Sequence, residues 1–304
     1  MRSYYFADYR LNVADEMVER TKKYFESFAA PIPYTHTFTL RSGNAAEMEK
    51  LYNSITEQPE VCRTDRFSVY ALPDGWAFAV PEHLGSAKTL ILCTKDYKEM
   101  TAYAVEKMYF DPYSQEERMQ IFPFWRTIRH VCEAGIAMHG GIPLHASLVE
   151  TNGLGIVFLG RSGIGKSTQA KLWQKYLNAD FISGDRPCVT NSDGVWRANG
   201  MPWDGKDHIN RQVGVRLHAV VSLEQADHSE ITRLSKQQAL AVLLRQTSLP
   251  MWDSAATAAV AERLGMLAAE IPFYHLKNLA DEEGVMLTYR TVMEEIQRED
   301  HISV

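Results

Sequence analysis

The segment Gly160-Arg161-Ser162-Gly163-Ile164-Gly165-Lys166-Ser167 matches the pattern GxxxxGK[ST], and its flanks narrow the folds open to this chain. The apolar run Leu154-Gly155-Ile156-Val157-Phe158-Leu159 precedes it, and Thr168-Gln169-Ala170-Lys171-Leu172-Trp173 follows with a helical pattern. A strand, a glycine-rich turn and a helix in that order make an anion cradle, because the glycines let backbone N–H groups close around phosphate oxygens. The N-terminal end of the helix adds its dipole. The pattern therefore predicts a bound nucleotide, ATP by default, with Gly160, Ser162, Gly163, Ile164, Gly165, Lys166, Ser167 and Thr168 around its phosphates. Lys166 bridges the terminal phosphates in such a loop, and the Ser167 hydroxyl reaches the accompanying Mg2+. The loop names the ligand and leaves the reaction open.

The 304 residues, 45% of them hydrophobic, suffice for a large core and suggest two domains. A formal net charge of −6 argues against a nucleic-acid groove or an anionic membrane surface as the partner. The four cysteines, Cys62, Cys93, Cys132 and Cys188, form no CxxC pair, so neither a zinc site nor a disulfide framework is indicated. No apolar run approaches the ~20 residues of a membrane span, and the first residues lack a signal peptide's apolar stretch. A cytoplasmic location is expected.

The residues before the loop alternate in strand fashion at Tyr4 to Val13, Thr37 to Leu40, Arg66 to Leu72, Trp76 to Val80 and Thr89 to Thr94. Helical patterns run from Glu16 to Phe28 and from Asn44 to Tyr52. Ser114-Gln115-Glu116-Glu117 reads as a capping box that opens a helix to His139, with Pro123 placed to kink it. The expected organisation is a smaller mixed α/β N-terminal domain, residues 1–138, ending in a helical bridge over 114–139. An α/β nucleotide domain over 139–304 follows. Within it, Val215 to Leu223 reads as a buried strand and Phe273 to Leu276 as a short one, with helices over Lys236 to Gln246, Ser254 to Glu270 and Asp281 to Arg298.

Asn152-Gly153 is a two-residue hairpin turn, so Leu144 to Thr151 should pair antiparallel with Leu154 to Gly160. That register sets His145 opposite Gly160. Its role stays open between a hydrogen bond to the γ-phosphate, orientation of a carboxylate, and a purely structural one. The strand Ala179-Asp180-Phe181-Ile182-Ser183 ends in Gly184-Asp185-Arg186. Strand C-termini of an open parallel sheet line one crevice, so Asp185 should emerge beside the loop, as a base for an acceptor hydroxyl or a magnesium ligand. Arg186, Arg211 and Arg216 are candidate charge stabilisers, Arg186 foremost through its link to Asp185. In the turn-rich stretch Met201-Pro202-Trp203-Asp204-Gly205-Lys206, Asp204 is a candidate second magnesium contact and Lys206 a γ-phosphate clamp; a surface turn is an equal alternative. Glu224, at the end of the strand 215–223, ranks below Asp185 as an acid near the metal.

Together, Leu144-His145-Ala146-Ser147-Leu148-Val149, the Asn-Gly turn, GRSGIGKST and the Gly-Asp-Arg step resemble the catalytic domain of HPr kinase/phosphorylase, over roughly residues 139–224. The resemblance implies a P-loop fold of the phosphoenolpyruvate-carboxykinase-like type and a magnesium-dependent ATP kinase acting on a hydroxyl. It places the family's histidine on His145, its loop on Gly160 to Ser167 and the second aspartate of its Asp-Asp-Arg step on Asp185. Gly184 stands where the family has its first aspartate, and no counterpart of its later Glu-containing signature or phosphorolysis segment is present. The chain looks more like divergent HPr-kinase-related proteins, some of which accompany peptide-modification systems and phosphorylate serine. The acceptor is thus expected to be a serine of a peptide or protein, or a small alcohol. Two other readings stay open: a carboxykinase-like enzyme acting on an oxo-acid, and a non-catalytic nucleotide sensor. The residues leave self-association open.

Overall fold

A computed structural model of the chain describes residues 1–18, 25–81, 88–104, 108–111, 116–119, 122–203, 205 and 207–302. It is a mixed α/β protein with two large sheets, and it divides into two compact units. Met1–His139 with Leu249–Thr257 forms the first, and Gly140–Ser248 with Ala258–Val304 the second.

The first unit carries strands β1 (Arg2–Phe6), β2 (Tyr9–Val13), β3 (His36–Ser42), β4 (Glu60–Arg63), β5 (Ser68–Leu72), β6 (Gly75–Val80), β7 (Thr89–Thr94) and β8 (Glu99–Ala104). They form one sheet in the order β1-β2-β3-β8-β7-β6-β5-β4. A separate antiparallel pair, β9 (Met108–Asp111) and β10 (Glu116–Met119), follows. The expected single strand from Tyr4 to Val13 is instead a hairpin that turns at Ala7, whose φ is +49°. The apolar positions change phase there, from Tyr4 and Phe6 to Tyr9, Leu11 and Val13. Helix α1 (Ala45–Thr56) is capped by the Asn44 side chain, which accepts from Ala46 N.

The bridge helix also differs from expectation. Residues Glu116 and Glu117 lie in β10, and helix α2 (Phe122–Met138) starts only at Phe122. Ser114 and Gln115 fall outside the described residues. Pro123 therefore sits in the first turn of α2, where its missing N–H has no carbonyl to bond, so it starts the helix and does not kink it. The stretch from Leu249 to Thr257, expected in the second domain, belongs to the first unit. Buried Tyr97 explains this: its hydroxyl donates to Asp253 Oδ2 at 2.9 Å and accepts from Trp252 Nε1 at 2.9 Å, while Trp252 meets Phe67 and Phe78 edge-on.

In the second unit the strands are β11 (Ile142–Pro143), β12 (Ala146–Thr151), β13 (Leu154–Leu159), β14 (Asp180–Ser183), β15 (Cys188–Ser192), β16 (Val195–Asn199), β17 (Gly214–Gln225), β18 (Glu230–Arg233) and β19 (Phe273–Asn278). Helices α3 (Lys166–Leu177), α4 (Lys236–Gln246), α5 (Ser254–Glu270) and α6 (Glu282–Ile302) complete it, α5 starting within the segment that joins the first unit. β13, β17 and β19 run parallel. β12 lies antiparallel between β13 and β14, so β14 points the same way as β13. The long β17 splits its pairing: Gly214 to Arg216 pair with β16, and Val220 onward with β19.

β13 is buried at every residue, as a strand with neighbours on both edges and cover on both faces must be. Leu154, Ile156 and Phe158 point to one face, where they meet Ala170 and Trp173 of α3 and Val285 and Val292 of α6. That core fixes the strand end from which the glycine-rich loop leaves. No helix among the described residues is long and apolar enough to cross a membrane.

Candidate functional site

The hairpin β12–β13 has the expected register, with Ala146 facing Leu159 and Thr151 facing Leu154. Asn152 and Gly153 have φ values of +51° and +82°, the two left-handed residues that a tight two-residue turn needs. The ladder stops one residue short of His145. There the chain turns to another partner, and His145 N donates to the Gln246 carbonyl at 2.7 Å. The imidazole nevertheless stands beside the loop.

Between β13 and α3 the loop exposes Arg161, Ser162 and Gly163, half-buries Ile164 and Ser167, leaves Thr168 open and buries Lys166. Gly165 caps α3 with a φ of +110°, a conformation that a side chain would strain. Lys166 Nζ donates to the carbonyl of Gly160 at 2.8 Å and of Arg161 at 3.3 Å, and lies 3.4 Å from His145 Nε2. Burial pushes the ammonium below the usual lysine value; the Asp185 carboxylate opposes that shift, and Arg186 adds to it.

Because β14 points the same way as β13, Asp185 emerges on the edge that carries the loop. His145 Nε2 and Asp185 Oδ1 are 3.8 Å apart. Asp185 Oδ1 is buried yet accepts no hydrogen bond from any described residue. Arg186 Nε stands 3.8 Å from that same oxygen, and its Nη1 donates to Ser248 Oγ at 2.5 Å. Arg186 has a φ of +60°, a left-handed conformation that costs a residue with a Cβ about 1–2 kcal/mol and is held by these contacts.

The other candidates separate. Arg211 bonds Asp180 at 2.5 Å, at the start of β14, away from the Asp185 end. Arg216 faces Arg197 at the end of β17 remote from the loop. Neither arginine joins the group around Lys166: pairing to β16 holds Arg216 at the far end of β17, and Arg211 is held to β14 through Ile182 and Asp180. Glu224 bonds His275 Nε2 at 2.9 Å across β17 and β19. Asp204 and Lys206 lie outside the described residues.

One residue beside the loop escaped the sequence reading. Asp207 accepts from Lys171 Nζ at 2.5 Å, and the Ser167 hydroxyl also favours its charged form. Burial pushes its carboxyl up, but the bonds from Lys171 and Ser167 outweigh that and hold it below the ordinary aspartate value. Its segment is stitched to β14: Gly184 N donates to the Ile209 carbonyl at 2.9 Å, and Arg211 N to Ile182 O at 3.0 Å. No linear pattern ranks Asp207 above Asp204; only this pairing does.

The profile of the family described as "ScmC: SynChlorMet cassette protein ScmC" matches residues 111–282, more than half of the chain. The chain belongs to the ScmC family. No curated protein matches it. A solved structure, the Hpr(Ser) kinase/phosphatase from Coxiella burnetii, is similar over 53% of this chain and 97% of its own, with 12% sequence identity and a TM-score of 0.30. The ScmC description names no reaction, and so remote a structural likeness carries none over. The functional reading rests on the residues themselves.

Proposed function

We propose that this ScmC-family chain is an ATP-dependent phosphotransferase that passes the γ-phosphoryl group to a hydroxyl, with a serine of a peptide or protein, or a small serine-like alcohol, as acceptor. The observation that carries the reading is the row Lys166, His145, Asp185, with contacts of 3.4 and 3.8 Å, at the mouth of a glycine-rich loop. A structural lysine–carboxylate pair does not need a GxxxxGK[ST] turn, and a bare phosphate cradle does not need a half-buried carboxylate whose Oδ1 accepts no hydrogen bond from any described residue.

In this reading the loop amides grip the phosphates and Lys166 shifts its ammonium from the Gly160 and Arg161 carbonyls to the terminal phosphates. Asp185 accepts the acceptor's proton as the hydroxyl oxygen bonds to the γ-phosphorus. The bond from that phosphorus to the β,γ-bridging oxygen breaks, and ADP leaves with the electron pair. His145, between the two charged groups, can orient the carboxylate or donate to the γ-phosphate. The oxygen donors Ser167 and Asp185 suit Mg2+, which neutralises phosphate charge when bound.

Gly184, lacking a side chain beside Asp185, favours the alternative of a nucleotide sensor without catalysis. The test is to incubate the protein with γ-labelled ATP, magnesium and a cell extract split into small-molecule and macromolecular fractions. Label in one fraction identifies the acceptor class. Nucleotide binding with no labelled product supports the sensor.

A further inference from the structure

A methyl group added at Gly184 would lie 3.5 Å from the Asp207 Cβ, an ordinary contact, so the two positions are side by side. Asp207 reaches the same place from the neighbouring segment. That segment is pinned by the Gly184–Ile209 hydrogen bond and by the bridge between Ser183 and Asn210. It also crosses Asp185, since a Cβ on Gly205 would sit 2.9 Å from the Asp185 Cβ. The Asp207 side chain is 17% exposed and engages both Ser167, of the loop, and Lys171, one turn farther along α3.

We propose that Asp207 is the second carboxylate of the phosphate site, standing in for the side chain that Gly184 lacks, and that with the Ser167 hydroxyl it holds the divalent cation accompanying the nucleotide. The proposal rests on the phosphotransferase reading and names a residue for it. One carboxylate, one hydroxyl and phosphate oxygens form a donor set suited to magnesium. Lys171 neutralises the carboxylate meanwhile; its side chain is 57% exposed, so it can swing into water when the cation takes over.

The test uses the full chain and a fluorescent ATP analogue, titrated with Mg2+ or Mn2+ at fixed nucleotide. Asp207→Asn is expected to raise the half-saturating cation concentration roughly ten- to a hundredfold while leaving cation-free nucleotide affinity little changed. Lys171→Met is expected to move it the other way, because the competitor for the carboxylate is gone. Adding Gly184→Asp to Asp207→Asn should restore most of the cation response, and this double variant also guards against a trivial folding defect. Unchanged cation dependence in Asp207→Asn or Lys171→Met, with nucleotide still bound, overturns the proposal alone. Failure of the double variant to recover overturns the equivalence of positions 184 and 207. A wild-type chain that binds no nucleotide at any cation concentration overturns the phosphotransferase reading itself.

Discussion

Replacing Lys166 by Met separates what this residue does for the fold from what it does for a ligand. The Met side chain keeps the apolar stem in its buried place and removes the ammonium. In the free protein that ammonium donates to two backbone carbonyls, at 2.8 and 3.3 Å, while burial depresses its pKa. The lost bonds and the relieved desolvation oppose each other, so the net stability change is about 1 kcal/mol or less, roughly 2–4 °C in melting temperature. Against a phosphate the loss is one-sided: a charged hydrogen bond contributes about 1.5–3 kcal/mol, and its removal weakens ATP binding roughly 10- to 150-fold. The depressed pKa adds a signature. A bound polyanion favours the charged lysine, so binding takes up protons at alkaline pH, below the ordinary lysine value. Calorimetry in buffers of different ionisation enthalpy reads both quantities. The wild type should show proton uptake, and Lys166→Met should lose the uptake and the affinity together. Unchanged affinity with a large drop in melting temperature would refute the reasoning and make Lys166 a structural residue.

Two further outcomes concern stability. Trp173 is fully buried between Phe158, at 5.6 Å between ring centroids, and Tyr289, at 6.3 Å. Trp173→Ala should cost about 3–5 kcal/mol in denaturant unfolding. His36 and His218 both have lowered pKa values, chiefly through burial. The unfolded chain therefore binds more protons than the folded one just below the ordinary histidine value of 6.5, and stability is lost as pH falls through that range. Melting curves from about pH 7.5 to about pH 5.5 check this, and His218→Gln should flatten the slope.

Much of the second unit was legible in the residues. The turn Asn152-Gly153 set the register of β12 on β13, and the helices over Lys236–Gln246 and Ser254–Glu270 have the bounds that their periodicity implies. At the β1–β2 hairpin Ala7 carries no turn signal although it takes a positive φ, and the mark it leaves is the shift of the apolar positions from even to odd numbers. The start of α2 was misread because a Ser-x-x-Glu pattern can occur before a strand; Glu116 and Glu117 pair with Asp111 and Phe110 of β9. At the site, Asp185 could be placed from strand direction and His145 from the hairpin register that leads up to it. Asp207 could not, because its position depends on an irregular segment folding back along β14.

Asp185 carries the phosphotransferase reading most directly. Single-turnover transfer from γ-labelled ATP, compared between wild type and Asp185→Asn, measures it. With nucleotide affinity kept, the rate should fall by roughly 10²- to 10⁴-fold, the contribution of a positioned base. Transfer at the wild-type rate by the Asn variant, or no labelled product from the wild type in any fraction, would contradict it.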